Sequence, residues 1–302
     1  MIRFAVSETE LQQRIEAEAA GWLKKALTKA KAANASGHVG EGDGIWSEIK
    51  GVYMELQGFK CMYCEKPMPK PDDERDGASG KVEYDVEHFR PKNRVTAWPP
   101  AKVKARRKID YDDALEAGVP TGYVWLAFDH LNYGVSCKTC NSELKGDRFP
   151  ILGKRGKKGQ RNAELDPIEK PCLVLPVGAN GTNPEDLLGW NGPLVFPKKG
   201  LSVEDTLRAK VLIDFFELDT RRDLLEGRCH GIMLLFPRLK EKTAKAKKFV
   251  EALTADDATF AGCFRAFVAL FKKNKAQAAQ WADDCERYVI TRGKTGLTAP
   301  ES

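Results

Sequence analysis

Two Cys-x-x-Cys pairs, Cys61/Cys64 and Cys137/Cys140, bracket the dipeptide Glu87-His88, and Asn141 follows the second pair directly. One stretch of the chain thus offers four soft thiolates and, apart from them, a set of oxygen and imidazole donors. The thiolates suit zinc. A Cys-x-x-Cys turn lets two sulfurs reach one ion about 2.3 Å away, and two such turns complete a tetrahedral site. The pairs stand much further apart than the roughly fifteen to twenty residues of a compact zinc ribbon. The ion would therefore staple two ends of a folded module rather than nucleate a small finger, and four thiolates leave no open position for water. The competing reading is two unrelated pairs or a redox dithiol; no thioredoxin-like pattern surrounds either pair.

Glu87, His88 and Asn141 suit metal-assisted hydrolysis of a phosphodiester. A neutral imidazole with a pKa near about 6.5 can take a proton from an attacking water. A hard ion such as Mg²⁺ or Mn²⁺ takes oxygen ligands and offsets the charge that builds on phosphorus and the leaving oxygen. Alone, His88 would read as a core or surface histidine; beside Glu87, two knuckles and Asn141 it reads as the general base. Lys145 stands four residues after Asn141, so on a helix the two point the same way and Lys145 becomes a phosphate clamp. Arg148 and Arg90 are weaker candidates for that role. One difficulty is visible: in a regular strand Glu87 and His88 face opposite sides, so the strand must end or bulge there, and Pro91 favours an ending. His130 reads as structural, and His38 and His230 have no supporting context.

The segments Val86-Glu-His-Phe-Arg-Pro-Lys92, Asp129-His-Leu-Asn132 and Ser136-Cys-Lys-Thr-Cys-Asn-Ser-Glu-Leu-Lys145 resemble the HNH (ββα-metal) nuclease family, in its form with a four-cysteine zinc site. Trp46, the Lys60–Glu65 knuckle, Phe149-Pro150 and Leu165-Asp-Pro167 narrow the resemblance to the HNH subunits of bacterial anti-phage systems of the Septu and retron type. It covers roughly residues 45 to 225. It implies that Glu87 and the side-chain oxygen of Asn141 hold the catalytic ion, and that Asn132 orients the histidine and fixes the loop between the strands without touching metal. It further implies a metal-dependent endonuclease working with a separate ABC-type ATPase. DNA is the favoured substrate because the family's ββα element enters the minor groove, while folded RNA such as tRNA stays open. A zinc-stabilised binding module without catalysis is the reading from another class; binding alone would require none of Glu87, His88, Asn132 and Asn141.

The elements that must position these residues read as an α+β protein. Ser7 and Glu10 form a capping box for a first helix with Leu11, Ile15, Ala19, Trp22, Leu23 and Ala26 near a 3.6-residue period, ending between Asn34 and Gly44. A second helix runs from Ile45 to Leu56, with Gly58 placed to end it. After a Pro- and Asp-rich loop from Pro67 to Gly80, Lys81 to His88 alternates as a strand, with Val82, Tyr84 and Val86 on one face. Residues 93–122 read as an insertion, basic and then acidic. Tyr123 to Leu131 is the next strand or a buried approach to it, and a helix runs from Asn141 to Phe149-Pro150. From Val203 to about Arg292 the pattern is helical, followed by a frayed tail from Lys294. Three regions result: helical 1–58, the ββα-metal core with its zinc knuckles at 59–152, and a mostly helical 153–302.

The 302 residues are 42% hydrophobic, enough to bury a core. No stretch approaches the roughly 18 apolar residues of a membrane span, and the start lacks a charged segment followed by an apolar run; a cytoplasmic protein is expected. In a reducing compartment eight cysteines point to metal more than to disulfides, and the scattered Cys172, Cys229, Cys263 and Cys285 read as small core residues. A net charge of +6 only nudges toward a polyanionic partner. Its distribution says more: Lys102 to Lys108 and Lys154 to Arg161 flank the candidate site, and Arg90, Lys92, Arg148, Lys154, Arg155, Lys157 and Lys158 are expected to face nucleic acid. A third cluster, Lys240 to Lys248, lies on the C-terminal helices, where an ATPase would dock. There is no Walker A pattern.

Overall fold

The computed structural model describes all residues except 41, 70–83, 179–181, 295 and 298–302. Most of the loop expected between Pro67 and Gly80, the first part of the strand expected from Lys81 (with Val82) and much of the tail after Lys294 lie outside the described residues. The fold is α+β, and the chain divides into two compact units. Among the described residues no helix is long and apolar enough to cross a membrane.

One unit comprises residues 3–63 and 68–183. Ser7 caps α1 (Glu8–Glu18) by accepting from the Glu10 amide at 3.1 Å. The expected single N-terminal helix is in fact two, because Gly21 takes a left-handed conformation (φ 79°) before α2 (Trp22–Ser36). The Glu16 carboxylate accepts from the amides of Gly21 and Leu23 at 2.7 and 2.9 Å, satisfying donors a helix start leaves open. The hydrophobic period runs through this break, so Trp22 and Ala26 are buried on either reading. A 3₁₀ turn (Trp46–Ile49) leads into α3 (Lys50–Leu56), which buries Val52 and Tyr53 and ends ahead of left-handed Gly58 and Phe59.

β1 (Tyr84–His88) pairs antiparallel with β2 (Tyr133–Cys137) in unbroken register, Glu87 opposite Gly134 and His88 opposite Tyr133. The second strand therefore lies beyond the expected Tyr123–Leu131, which instead coils into two 3₁₀ turns, Val124–Leu126 and His130–Asn132, as a buried approach. The Asp129 side chain caps the second turn at the Leu131 amide, 2.9 Å. All five β2 residues are buried, so no polar alternation marks the strand in the sequence. Gln57 lines β2 like a further strand, donating to Val135 O at 2.8 Å and accepting from Val135 N at 2.7 Å.

The helix after β2 is a π-helix over Thr139–Lys145. It starts before Asn141 and stops well short of Phe149. Gly146, with φ 50°, ends it and donates its amide to Asn141 O at 2.6 Å. The 93–122 segment carries a short helix, α4 (Ala101–Arg107), and closes on itself through a bridge between Val95 and Val119. Its acidic half meets its basic half where Lys104 pairs with Asp112 at 2.6 Å. α5 (Asn162–Glu169) completes this unit.

The other unit comprises residues 1–2, 64–67 and 184–302. A short helix, α6 (Pro184–Leu187), precedes a hairpin of β3 (Leu188–Asn191) and β4 (Leu194–Pro197). The helical pattern expected from Val203 forms, among the described residues, α7 (Val203–Phe216), α8 (Arg222–Lys240), α9 (Ala244–Thr254), α10 (Ala261–Lys273) and α11 (Lys275–Ile290). A Cβ on Gly231 of α8 would lie 1.9 Å from the Phe264 ring, so any larger residue there would force that ring to shift. Arg228 is buried over the Trp190 ring and donates to the carbonyl of Leu218 at 2.6 Å. Cys172 in the first unit and Cys229, Cys263 and Cys285 in the second are buried, as small core residues.

Candidate active site

The four knuckle cysteines come together. Cys61, Cys64, Cys137 and Cys140 are buried, and their sulfurs all lie within 4.8 Å of one another. Tetrahedral zinc with sulfurs about 2.3 Å away needs that spacing. The Cys137 amide donates to the Cys61 sulfur at 3.3 Å, a bond that favours the thiolate. These residues can hold a metal ion such as zinc.

His88 closes β1 with 8% of its surface exposed. Its ring meets Trp46 edge-on at 4.6 Å and Tyr133 at 5.0 Å. The Nε2 atom donates to Ala127 O at 3.0 Å. A carbonyl can only accept, so Nε2 carries the proton and Nδ1 keeps its lone pair. Nδ1 makes no hydrogen bond among the described residues. Burial holds the imidazole well below the usual histidine range, and the charges of Lys92 and Lys145 add to that against the opposing Ala127 bond. His88 is a neutral base with one free nitrogen.

Glu87 is 3% exposed and leaves the strand on the other side from His88, since the pairing is regular up to the strand's end. Burial pushes its carboxyl up to about 7, against the pull of Lys145 and Lys92. Burial holds the Tyr63 hydroxyl well above the usual tyrosine range, and the charge of the same carboxylate adds to that. Lys145 corrects an expectation. It is buried, its ammonium pairs with Glu87 and donates to His88 O at 2.8 Å, and it does not project toward a substrate. The four-residue spacing from Asn141 assumes an α-helix, whereas this turn is π and closes on Gly146. Asn141, half-buried, stands one turn earlier, and its side chain makes no hydrogen bond among the described residues.

Asn132 is fully buried and ties the strand ends together. Its Oδ1 accepts from Arg90 N at 2.9 Å, and its Nδ2 donates to Arg90 O at 3.0 Å and Leu126 O at 3.2 Å. Its carbonyl accepts from Phe89 N at 2.9 Å. The two residues after His88 are thus pinned, and Asn132 is spent on backbone.

Arg90, expected at a nucleic-acid surface, is 0% exposed. Its guanidinium reaches Asn162 at 2.7 Å, Asp166 at 2.8 Å and Glu169 at 2.9 Å. These three lie on one face of α5, so Arg90 locks that helix to the strand end and cannot meet phosphate. Arg148 is half-buried and donates to Leu144 O at 3.0 Å, serving the end of the π-helix. Arg155 is half-buried on Tyr123 and Phe149, while Lys154, Lys157 and Lys158 are exposed, Lys154 being paired with Glu116.

Lys92 lies with its ammonium 4.3 Å from the centre of the Trp46 ring. Burial depresses it, opposed by the charges of Glu87 and Asp147. Sequence reasoning missed Asp147, whose charge acts on both Glu87 and Lys92 and which pairs with Arg94. Its only sequence signal is that it follows the glycine ending the turn. The Ala127 carbonyl was also missed, since a backbone acceptor is announced by no residue type. His130 is buried, with its ring Nε2 3.4 Å from Gln12 Nε2, and its carbonyl accepts from the Tyr53 hydroxyl.

The chain matches no protein-family model. Over 127 residues it is 25% identical to the Septu protein PtuB of Bacillus mycoides (strain KBAB4). That stretch is 41% of this chain and 35% of the relative, so the chain spans about a third of the length of the protein it matches. Over that stretch, the chain is similar to a Septu protein.

Proposed function

We propose that this chain is a metal-dependent HNH endonuclease that hydrolyses phosphodiester bonds of nucleic acid, DNA in preference to RNA. It would be the effector nuclease of a Septu-type anti-phage system, acting with an ABC-type ATPase. The observation that carries the reading is His88: neutral, with Nε2–H held by a backbone carbonyl and Nδ1 unengaged among the described residues, at the strand end, one residue after a buried carboxylate on the other face. A core histidine would have both nitrogens satisfied.

His88 Nδ1 takes the proton of the attacking water, and the Ala127 carbonyl steadies the imidazolium that forms. Asn132 holds residues 89 and 90, and with them the ring's position. Glu87 and the Asn141 amide oxygen are hard donors that fit Mg²⁺ or Mn²⁺, and Asn141 has no competing bond. Bound there, the ion would stabilise the extra charge on phosphorus and the leaving oxygen. Lys145 neutralises Glu87 and must yield part of that carboxylate to the ion. The four-cysteine zinc is structural.

The test is cleavage of plasmid DNA and total tRNA with Mg²⁺, Mn²⁺ or EDTA, with and without the ATPase. Divalent-dependent cutting is expected, and the substrate consumed separates DNA from RNA. Absence of cutting in every combination overturns the reading.

A further inference from the structure

A cleft of about 340 Å³ lies within the first unit, at the lower end of the roughly 300–1,000 Å³ of small-molecule sites. Tyr123, Val124 and Trp125 form its wall, with Thr121, Arg155 and Lys158 among its other lining residues. Trp125 is half-buried, and its ring stands 5.4 Å from that of Tyr123. The indole N–H is spent on Gln160 O at 2.8 Å, so the ring is fixed and offers the cleft only π surface.

The cations of the cleft differ from their neighbours. Lys154 and Arg161 pair with Glu116 and Glu8. Arg155 instead donates to the Tyr123 hydroxyl and Phe149 O, both at 3.0 Å, and its buried Nε has no partner. Lys158 donates only to Asn34 O, at 3.2 Å. Neither has a carboxylate partner among the described residues. A fixed aromatic wall beside two cations that no carboxylate pairs directly, the nearby Glu169 being taken up by Arg90 and the Tyr123 hydroxyl, suits a planar, electron-rich ring carrying an anion: a nucleobase with its phosphate.

The cleft is also tied to the candidate site. Trp125 precedes Ala127 by two residues, a span of at most about 7 Å, and the Ala127 carbonyl holds His88. We propose that the cleft takes one unstacked nucleotide of the substrate strand, its base against Trp125 and its phosphate on Arg155 and Lys158. The choice of a substrate nucleotide rests on the nuclease reading; the nucleotide chemistry of the cleft does not.

The experiment uses the full chain with His88→Ala, so that nothing is cut, and follows the assigned Trp125 indole N–H resonance. The probes are nucleoside 5′-monophosphates, inorganic phosphate, a single-stranded oligonucleotide and the same strand with one abasic position. Monophosphates and the intact strand should move the resonance and phosphate alone should not, while the abasic strand should bind about tenfold more weakly. Lys158→Glu, exposed and safe for folding, should weaken nucleotide binding about tenfold; Trp125→Leu, checked by circular dichroism and read by titration calorimetry because it lacks the reporting indole, should do the same. No response to any nucleotide or strand overturns the proposal. A response to free monophosphates but not to the strand overturns the substrate occupant. A wild-type chain that cuts while Trp125 stays silent defeats this inference alone. Binding at Trp125 by a chain that never cuts leaves the nucleotide cleft and removes the nuclease reading.

Discussion

The Nε2 atom of His88 and the carbonyl oxygen of Ala127 lie 3.0 Å apart, and the Tyr133 hydroxyl donates to the same oxygen. One backbone acceptor therefore sets the histidine's tautomer and ties it to the residue opposite it on β2. The 3₁₀ turn that delivers Ala127 is in turn held by Asn132 through Leu126 O. The candidate base is positioned by backbone, and the side chains around it serve mainly to hold that backbone still.

Asn132→Asp keeps the shape and removes two donors. The new oxygen would face the carbonyls of Arg90 and Leu126 in a fully buried site. Stability should fall by about 1–3 kcal/mol for the lost and repelled bonds, measured by urea denaturation. Any cleavage should fall with it, because residues 89 and 90 come loose. A variant as stable as wild type would show that Asn132 is not the tie.

Arg90→Ala strands Glu169 without its partner. Removing one member of a buried ion pair costs about 3–5 kcal/mol, and Arg90 also serves Asp166 and Asn162. Urea denaturation should show a loss of that size. The double variant with Glu169→Gln should lose less than the sum, because the uncompensated charge is gone. Full additivity would mean that the two do not act as a pair.

Lys145→Met tests the charge balance at Glu87. The wild-type carboxylate is neutralised by this ammonium. Without it the buried carboxyl, already raised to about 7, takes up a proton, so the folded state should lose about 1–3 kcal/mol for the broken contacts, and Mg²⁺ should restore more stability to the variant than it adds to wild type, by mass action on the folded state. Thermal melts with and without the ion give the comparison. Equal responses would separate Lys145 from the metal site.

The cysteine cluster predicts about one zinc per chain with four sulfur ligands near 2.3 Å, checked by elemental analysis and X-ray absorption. Cys137→Ser should lower both zinc content and melting temperature. A metal-free chain of unchanged stability would leave the cluster as four packed thiols.

Parts of this arrangement were legible because residue type and role coincide. Two Cys-x-x-Cys turns point to one shared ion, and they do converge. Ser7 caps the helix it precedes, and Asn132 ties the strand ends through Arg90. Other parts depend on backbone conformation that residue types only permit. Gly21 breaks a helix whose hydrophobic period continues unbroken, and the π-turn ending at Gly146 redirects Lys145 from solvent to Glu87. Arg90 looked like a phosphate ligand because the acids that claim it, Asp166 and Glu169, lie more than seventy residues downstream.

The most direct measurement is single-turnover cleavage by wild type and His88→Ala on the substrate that wild type consumes, with nucleic-acid binding and circular dichroism measured on the same samples. General-base catalysis is worth about 10²–10⁴-fold, so the variant should bind as wild type does, keep its fold and cut slower by at least that factor. Cutting at the wild-type rate would show that the chemistry lies elsewhere.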